Sequence, residues 1–258
     1  MAYSPYRKLQ DKHVLVIGGS SGIGAGVAEA ALASGAHVTI SSSSQTKIDA
    51  TVIRLAAAYP DRAVRGFAVD LSKPSVEADV DSLFQAAQAA QGTINHVVYT
   101  AADSLALGGL DTVTVDGIHK ASHMRMVAPI LMAKVASRYL PASNLSSLTL
   151  TSGVVAEKPA PGWSVISYFA GGLKALARAL AVDLAPVRVN VVQPGYVETG
   201  LWDPMTPEAK AGLLKSVEGF PTGKIGKVED VAEAYLWFLK DSNATGSVAG
   251  TDAGQLLV

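Results

Sequence analysis

A glycine-rich segment, GGSSGIG at residues 18–24, is the first place where residue types and spacing point to chemistry. It follows the apolar run HVLVI at residues 13–17, and a helix is predicted from about residue 23 to 34. Glycines at a strand-to-helix junction allow a tight turn and a close backbone approach to a pyrophosphate. A plain structural turn is the alternative. We predict a dinucleotide phosphate site formed by Gly18, Ser20, Ser21, Gly22, Ile23 and Gly24.

Predicted strands and predicted helices alternate along the chain, and together they must position the glycine-rich loop. Apolar runs typical of parallel strands covered on both faces occur at residues 13–17, 37–41, 63–70, 95–100, 147–152 and 187–192. Later helices are predicted at about residues 46–58, 75–91, 115–139, 164–184 and 228–240. The alternation predicts an α/β fold: a single-domain, Rossmann-type, doubly wound parallel sheet with helices on both faces, over residues 1–258. Residues 196–224 follow the end of a predicted strand and show no regular spacing of hydrophobic residues, and we predict a substrate lid there.

Composition excludes several classes of protein. The 258 residues include 21 Lys or Arg and 22 Asp or Glu, so the net charge is -1, and no strongly basic face is expected for nucleic acid. The absence of Cys excludes a disulfide framework, a Cys-ligated metal and a Cys nucleophile, and we predict no metal site. The sequence has no clear membrane-spanning run, and its opening lacks the apolar core of a signal peptide. We therefore expect a cytoplasmic protein with a small-molecule substrate.

From about residue 12 onwards the chain resembles the short-chain dehydrogenase/reductase family. Asp70 in FAVDLS, the segment RVNVVQPGYVET at residues 188–199 and the ending GTDAG at residues 250–254 match family landmarks in order. The resemblance implies a nicotinamide cofactor with the adenine near Asp70 and Leu71. It implies further cofactor contacts at Thr100, Ala101, Ala102, Pro194, Gly195, Val197 and Thr199. It also implies a homodimer or homotetramer, with the helix around residues 170–180 and the C-terminal segment as candidate interfaces.

The end of the second strand bears on which nicotinamide cofactor is favoured. An acidic side chain there would hydrogen-bond the ribose 2′-hydroxyl and repel a 2′-phosphate. This chain has Ser42 and Ser43 instead, with Lys47 nearby. We therefore predict NADP(H) in preference to NAD(H). The alternative is that the serine run forms only a solvated turn and helix cap.

The catalytic positions depart from the family's Asn-Ser-Tyr-Lys pattern. Counting back from the family-like stretch at residues 178–186 puts Ile166 at the Tyr position and Ala170 at the Lys position. Neither side chain can move a proton. Tyr168 does not replace the missing acid, because it lies two residues, or roughly 200°, around the helix from Ile166. The usual carbonyl-reduction groups are therefore absent.

The residues that replace them suggest another kind of pocket. Gly153 stands at the Ser position and Arg125 at the Asn position. A guanidinium has five donors and could hold a carboxylate, an amide carbonyl or an anionic intermediate. The alternatives for Arg125 are a structural salt bridge or a cofactor contact. Trp163 and Pro161, in the PAPGW segment, are predicted to form an apolar wall, and Gly153, Trp163 and Ile166 are predicted to line the substrate pocket. For Trp163, stacking on a flat substrate and core packing are both compatible with the sequence.

This combination of TAAD at residues 100–103, LTSG, PAPGW and Arg125 resembles an atypical fungal branch of the family. That branch includes NADPH-dependent reductases and Diels-Alder cyclases of alkaloid pathways, and its bifunctional members carry an acidic residue where this chain has Ala160. The resemblance implies reduction of an imine, an iminium or an activated alkene in secondary metabolism. Two alternatives remain: a non-redox cyclase or isomerase that keeps NADP bound, and a non-catalytic NADP-binding sensor.

Overall fold

The computed structural model describes residues 5–103, 108–203 and 205–258. Within them the strands form one parallel sheet in the order β3-β2-β1-β4-β5-β6-β7. The strand bounds are β1 His13–Ile17, β2 His37–Ser42, β3 Val64–Ala68, β4 Ile94–Tyr99, β5 Ser147–Thr151, β6 Arg188–Pro194 and β7 Val248–Thr251. The order reverses between β1 and β4, which creates a crevice at the carboxyl ends of these strands. The predicted doubly wound Rossmann-type sheet is confirmed.

Helices cover both faces of the sheet. Their bounds are α1 Gly22–Ala33, α2 Gln45–Ala58, α3 Val76–Gln91, α4 Val115–Ser122, α5 Ala128–Tyr139, α6 Ser164–Asp183, α7 Pro207–Val217 and α8 Val228–Lys240. One buried apolar cluster joins α1, α2 and α8 to the sheet, and a second joins α3, α5 and α6 to its other face. The central strands β1, β4, β5 and β6 are largely buried from both sides, which is why apolar residues dominate them.

The predicted helix over residues 115–139 was wrong in one respect, because the chain forms two helices joined by a π-helical turn, His123–Val127. The N–H of Ala128 bonds to the carbonyl of His123, five residues back. Pro129 follows, and a proline has no N–H to give to the carbonyl four residues earlier, which is that of Arg125. The wider π-helical turn accommodates this missing hydrogen bond, and it contains Arg125, the candidate functional residue.

Two further elements were not predicted. β7 has only four residues and is partly exposed, so its apolar pattern is weak. α7 is mostly exposed and buries only Val217, so its sequence carries no strong periodicity. α6 is long and apolar enough, by length and composition, to cross a membrane. It packs against β6, however, and buries Ile166, Phe169, Ala170 and Ala177 within the protein.

Candidate active site

A cavity of about 210 Å³ opens at the carboxyl ends of β1, β4, β5 and β6. Many of the residues predicted for the cofactor and the substrate line it: Ile23, Thr100, Ala101, Ala102, Arg125, Gly153, Trp163, Ile166, Pro194, Gly195, Val197 and Thr199. A larger depression of about 460 Å³ lies beside the amino ends of β2 and β3. None of the predicted site residues lines that depression. Ligands of open α/β sheets bind at the carboxyl ends of the strands, so we place the candidate site in the smaller cavity.

The glycine loop lies tightly against the end of β4. A Cβ added to Gly24 would lie 2.2 Å from the carbonyl oxygen of Gly18 and 2.4 Å from Thr100 Oγ1. Gly18 has a φ of 92°, and a Cβ there would lie 2.6 Å from the backbone nitrogen of Ala101. Both positions therefore require glycine. Ser21 precedes α1 in an extended conformation, which leaves the first turn of the helix facing this crevice.

The predicted adenine end of the site lies along β2 and β3. Ser42 ends β2, and its Oγ accepts a hydrogen bond from the Ser44 backbone N–H (3.2 Å). Asp70 lies two residues beyond β3, and Ser72 donates to its Oδ1 through both the backbone N–H and the hydroxyl. These hydrogen bonds hold the pKa of Asp70 below its usual value, so the carboxylate stays ionised. The Leu71 side chain, in contrast, is buried in the core.

The segment after β6 brings a second wall to the cavity. The Gly195 N–H donates to the carbonyl of Thr251 (2.9 Å), and a Cβ at Gly195 would lie 2.6 Å from Cα of Asp252. Thr199 approaches the glycine loop, since a Cβ at Gly22 would lie 3.4 Å from the Thr199 side chain. The glycine loop (residues 18–24) and the segment after β6 (residues 194–199), which are predicted to enclose the cofactor, therefore approach each other at the crevice.

The positions that carry Tyr and Lys in most of the family are apolar and buried here. Ile166 is 5% exposed and packs with Ala170 and Val155, and Trp163 lies against this cluster. Tyr168 lies on the outer face of α6 and is 70% exposed. The Ser152 hydroxyl donates to the carbonyl of Ala170 (2.7 Å), so its proton is already engaged. The buried positions 166 and 170 thus present an apolar surface to the cavity.

Arg125 lines the cavity from the π-helical turn between α4 and α5. Its Nη2 atom lies 2.6 Å from Oδ1 of Asp103, and the same nitrogen donates to the Asp103 carbonyl oxygen (3.2 Å). Its side chain is 12% exposed and that of Asp103 is 30% exposed. One of the sequence alternatives, a salt bridge, is therefore present, and it coexists with a position on the pocket wall.

Tyr99 is a pocket residue that the sequence analysis missed. It is the last residue of β4, and its hydroxyl donates to the Met124 carbonyl oxygen (3.2 Å). Burial raises the pKa of this phenol above its ordinary value; the charge of Asp103 raises it further, while Arg125 acts in the opposite direction. Tyr99 therefore keeps its proton and already uses it in a hydrogen bond, so it is a poor substitute for the missing acid.

Residues 196–224 contribute apolar side chains that were not identified as lining residues in advance. Leu201, Met205 and Leu213 face the cavity from this segment. Tyr196 contacts the rings of both Trp202 and Phe220, with centroid distances of 6.2 Å and 5.8 Å. Pro204 lies outside the described residues. The predicted lid segment thus borders the cavity, and its hydrophobic residues recur too irregularly for sequence reasoning to assign them.

Comparison with known proteins agrees with this geometry. A family model described as an SDR-like Rossmann domain matches residues 6–258. The chain is 43% identical over 263 residues to short-chain dehydrogenase/reductase fsr5 of Gibberella fujikuroi, covering 97% of this chain and 96% of that protein. It is 41% identical over 255 residues to short-chain dehydrogenase/reductase malC of Malbranchea aurantiaca, covering 96% of each. The solved structure of MalC reductase/Diels-Alderase from Malbranchea aurantiaca has a TM-score of 0.92 and 40% identity, covering 99% of this chain and 100% of that one.

The chain therefore belongs to the short-chain dehydrogenase/reductase family of oxidoreductases, whose Rossmann-type fold binds nicotinamide cofactors. Within the family it is similar to fungal proteins, and one of these similar proteins is described as a reductase and a Diels-Alderase. This agrees with the resemblance deduced from Arg125 and from the apolar residues at positions 166 and 170.

Proposed function

We propose that this protein is an NADP(H)-dependent reductase of an imine, an iminium or an activated alkene in secondary metabolism. The observation that carries the proposal is the cavity itself, which is apolar where most of the family places its proton-donating Tyr and Lys. Among the described lining residues, the ionisable side chains are Arg125, Tyr99 and Tyr196. The similarity to MalC reductase/Diels-Alderase supports the same class of reaction.

The residues present fit a dinucleotide. A Cβ at Gly18 or Gly24 would collide with neighbouring atoms, so these glycines allow the loop to turn tightly into α1, whose N-terminus favours phosphate. Thr100, Ala101 and the segment from Pro194 to Thr199 would enclose the nicotinamide end. When bound, the cofactor supplies a hydride.

The chemistry of a cationic acceptor, an iminium or a protonated imine, explains why the pocket needs no acid. Hydride addition to a carbonyl leaves an alkoxide, which must be protonated or stabilised. Addition to a cationic C=N instead forms a C–H bond and moves the π electron pair to nitrogen, giving a neutral amine without a proton. The apolar wall of Ile166, Trp163 and Val155 would keep water away from an acceptor that hydrolyses readily. Arg125 would orient the acceptor through a carbonyl or another electron-rich group.

The proposal can be tested with a matched pair of acceptors. A cyclic N-alkyl iminium salt and a ketone of the same ring size are each incubated with enzyme and NADPH, and consumption of the reduced cofactor is followed by absorbance. We expect the iminium salt to be reduced at a rate that does not depend on the ionisation of a protein acid, and the ketone to be reduced at least about 100-fold more slowly. Preferential reduction of the ketone would refute the proposal.

The preference for NADP(H) is supported by the N-terminus of α2. Ser44 caps this helix by accepting a hydrogen bond from the Lys47 N–H (3.3 Å), and the helix begins Gln45-Thr46-Lys47 without an acidic residue. The Ser42 oxygen accepts a hydrogen bond, which leaves its hydroxyl proton available to a ligand. A helix N-terminus, a hydroxyl and a nearby lysine together favour the extra phosphate of NADP(H).

Replacing Ser42 by Asp is expected to reverse this preference. A carboxylate at this position repels the 2′-phosphate and accepts a hydrogen bond from the 2′-hydroxyl. We expect the Kd for NADPH to rise by about tenfold or more, and the Kd for NADH to stay level or fall. Titration calorimetry of both nucleotides measures this, and Ser82→Asp, on the exposed face of α3, is the matched control. An unchanged ratio of the two Kd values would contradict the assignment.

We further propose that residues 196–224 form a lid over the substrate. Its support is that Leu201, Met205 and Leu213 border the cavity, while the aromatic contacts of Tyr196 hold the segment together.

A second candidate function, NADP-bound cyclisation or isomerisation without redox change, is favoured by the Diels-Alderase description of the MalC structure. Ala160 weakens it for any acid-assisted route, because it cannot donate a proton. Tight NADPH binding without turnover of any acceptor would favour the sensor alternative.

We also propose a homodimer or homotetramer assembled through α6. Its outer face carries an exposed stripe of small and apolar residues, namely Tyr168, Gly172, Ala175, Ala179 and Val182. The C-terminal Leu257 is 81% exposed and is a second candidate contact. Ala175→Glu combined with Ala179→Glu is expected to reduce the mass measured by light scattering to that of a smaller species, because charges would be buried in the contact. The same change at Ala89 and Ala90, on the exposed face of α3, is expected to leave the mass unchanged.

A further inference from the structure

Asp103 forms an ion pair with Arg125, which lines the cavity. The guanidinium Nη2 is held twice by the same residue, at 2.6 Å from the carboxylate and at 3.2 Å from the backbone oxygen of Asp103. Neither side chain is more than about a third exposed. The pair is therefore shielded more from solvent than the ion pairs on the outer surface, such as Arg54 with Glu29.

Hydrogen bonds from two neighbouring residues hold the backbone of the turn that carries Arg125. Asp103 lies four residues beyond the end of β4, and the Tyr99 hydroxyl at that strand end bonds to the Met124 carbonyl, next to Arg125. A second hydrogen bond joins His123 Nε2 to the Leu71 carbonyl (3.0 Å), on the other side of the same turn. The π-helical turn that presents Arg125 is thus tied to the last residue of β4 and to the loop that follows β3.

The pair changes the electrostatics that Arg125 alone would give the pocket. An isolated guanidinium on an apolar wall attracts carboxylates and repels a cationic acceptor. A carboxylate 2.6 Å away cancels most of that field at ligand distance. With its charge offset in this way, the guanidinium no longer favours a carboxylate over a neutral ligand.

We propose that Asp103 is a specificity-determining residue: it positions Arg125 and cancels its charge, so that the pocket accepts neutral or cationic ligands and discriminates against carboxylates. The part that concerns a cationic acceptor rests on the proposed reductase function. The discrimination against anions does not, since it follows from the geometry of the pair.

Binding of two inert compounds of equal size tests the proposal without any turnover. 1-Naphthoate and 1-naphthamide are titrated calorimetrically into the protein, with and without saturating NADP⁺. Asp103→Asn is expected to increase naphthoate affinity about tenfold, because Arg125 regains its net charge, and to change naphthamide affinity by less than about threefold. Asp103→Glu, which keeps the charge, is expected to restore the discrimination against naphthoate.

Two further variants separate this role from a general change in charge or folding. Asp111→Asn removes an exposed carboxylate of the same type and is expected to leave both affinities unchanged. Asp103→Asn combined with Arg125→Gln is expected to lose the gain in naphthoate affinity. An equal gain in that double variant, or none in Asp103→Asn with its melting temperature preserved, would overturn the proposal. A protein that shows the expected binding pattern but reduces no acceptor would overturn the reductase function and keep the role of Asp103.

Discussion

Replacing Gly24 by Ala is expected to raise the Kd for NADPH by about 100-fold or more. The new Cβ would lie 2.2 Å from the Gly18 carbonyl oxygen and 2.4 Å from Thr100 Oγ1. Real Cβ atoms do not approach other atoms so closely, and the Gly18 oxygen belongs to the backbone, so the loop itself must move. The loop and the N-terminus of α1 are what would position the phosphates, so displacement of the loop removes these contacts together.

Two other glycines provide the controls for this substitution. Gly22→Ala is expected to have an intermediate effect, because its φ of 51° strains an L residue although the added Cβ would lie 3.4 Å from Thr199. Gly172→Ala is expected to have none, because no atom of the described residues lies within 4 Å of its added Cβ. Calorimetric NADPH titration and thermal unfolding are measured for all three variants. Wild-type NADPH affinity in a folded Gly24→Ala protein would refute the assignment of this loop.

Replacing Arg125 by Ala is expected to lower kcat/KM for the iminium acceptor by about 100-fold, with the Kd for NADPH within about threefold of wild type. Arg125 lines the substrate part of the cavity, whereas the phosphate loop lies at the start of α1. Its loss removes the donors proposed to orient the acceptor and leaves Asp103 as an uncompensated carboxylate. Steady-state kinetics and calorimetry on the same preparations separate the two effects.

Two further substitutions, one at Arg125 itself and one at another arginine, provide the controls for Arg125→Ala. Arg125→Lys keeps the charge but loses the planar fork, and an intermediate kcat/KM is expected. Arg54→Ala removes a surface arginine that pairs with Glu29 on the outside of the protein and is expected to change neither quantity. A parallel loss of NADPH affinity and of kcat/KM in Arg125→Ala would show that this residue supports the cofactor rather than the acceptor.

Much of the scaffold could be predicted from local sequence. Most strands are short apolar runs because both faces of the sheet are covered by helices. Glycine stands at positions 18 and 24 because a Cβ at either position would collide with neighbouring atoms. The assignment of Ile166 and Ala170 to the family's Tyr and Lys positions is implied by the resemblance of residues 178–186, from which both positions are counted back. These features depend on a few neighbouring residues, so a single sequence is sufficient to identify them.

Other features depend on contacts between distant segments. The ion pair joins residues 22 positions apart, and nothing in TAAD indicates that Asp103 faces Arg125. Tyr99 was part of a strand pattern, which does not reveal that its hydroxyl reaches Met124. The π-helical turn did leave a signal, because Pro129 stands four residues after Arg125 and removes a helical hydrogen bond there.

The most direct measurement of the central claim follows the hydride. NADPH carrying deuterium at carbon 4 of the nicotinamide is incubated with the protein and a panel of iminium, imine, ketone and enone compounds, and the products are analysed by mass spectrometry. Both C4 epimers are used, because either hydrogen could be transferred. We predict one deuterium in the reduced iminium or imine product, with one equivalent of NADPH consumed. A converted product without deuterium, with the cofactor unconsumed, would contradict the reductase function and point to cyclisation or isomerisation instead.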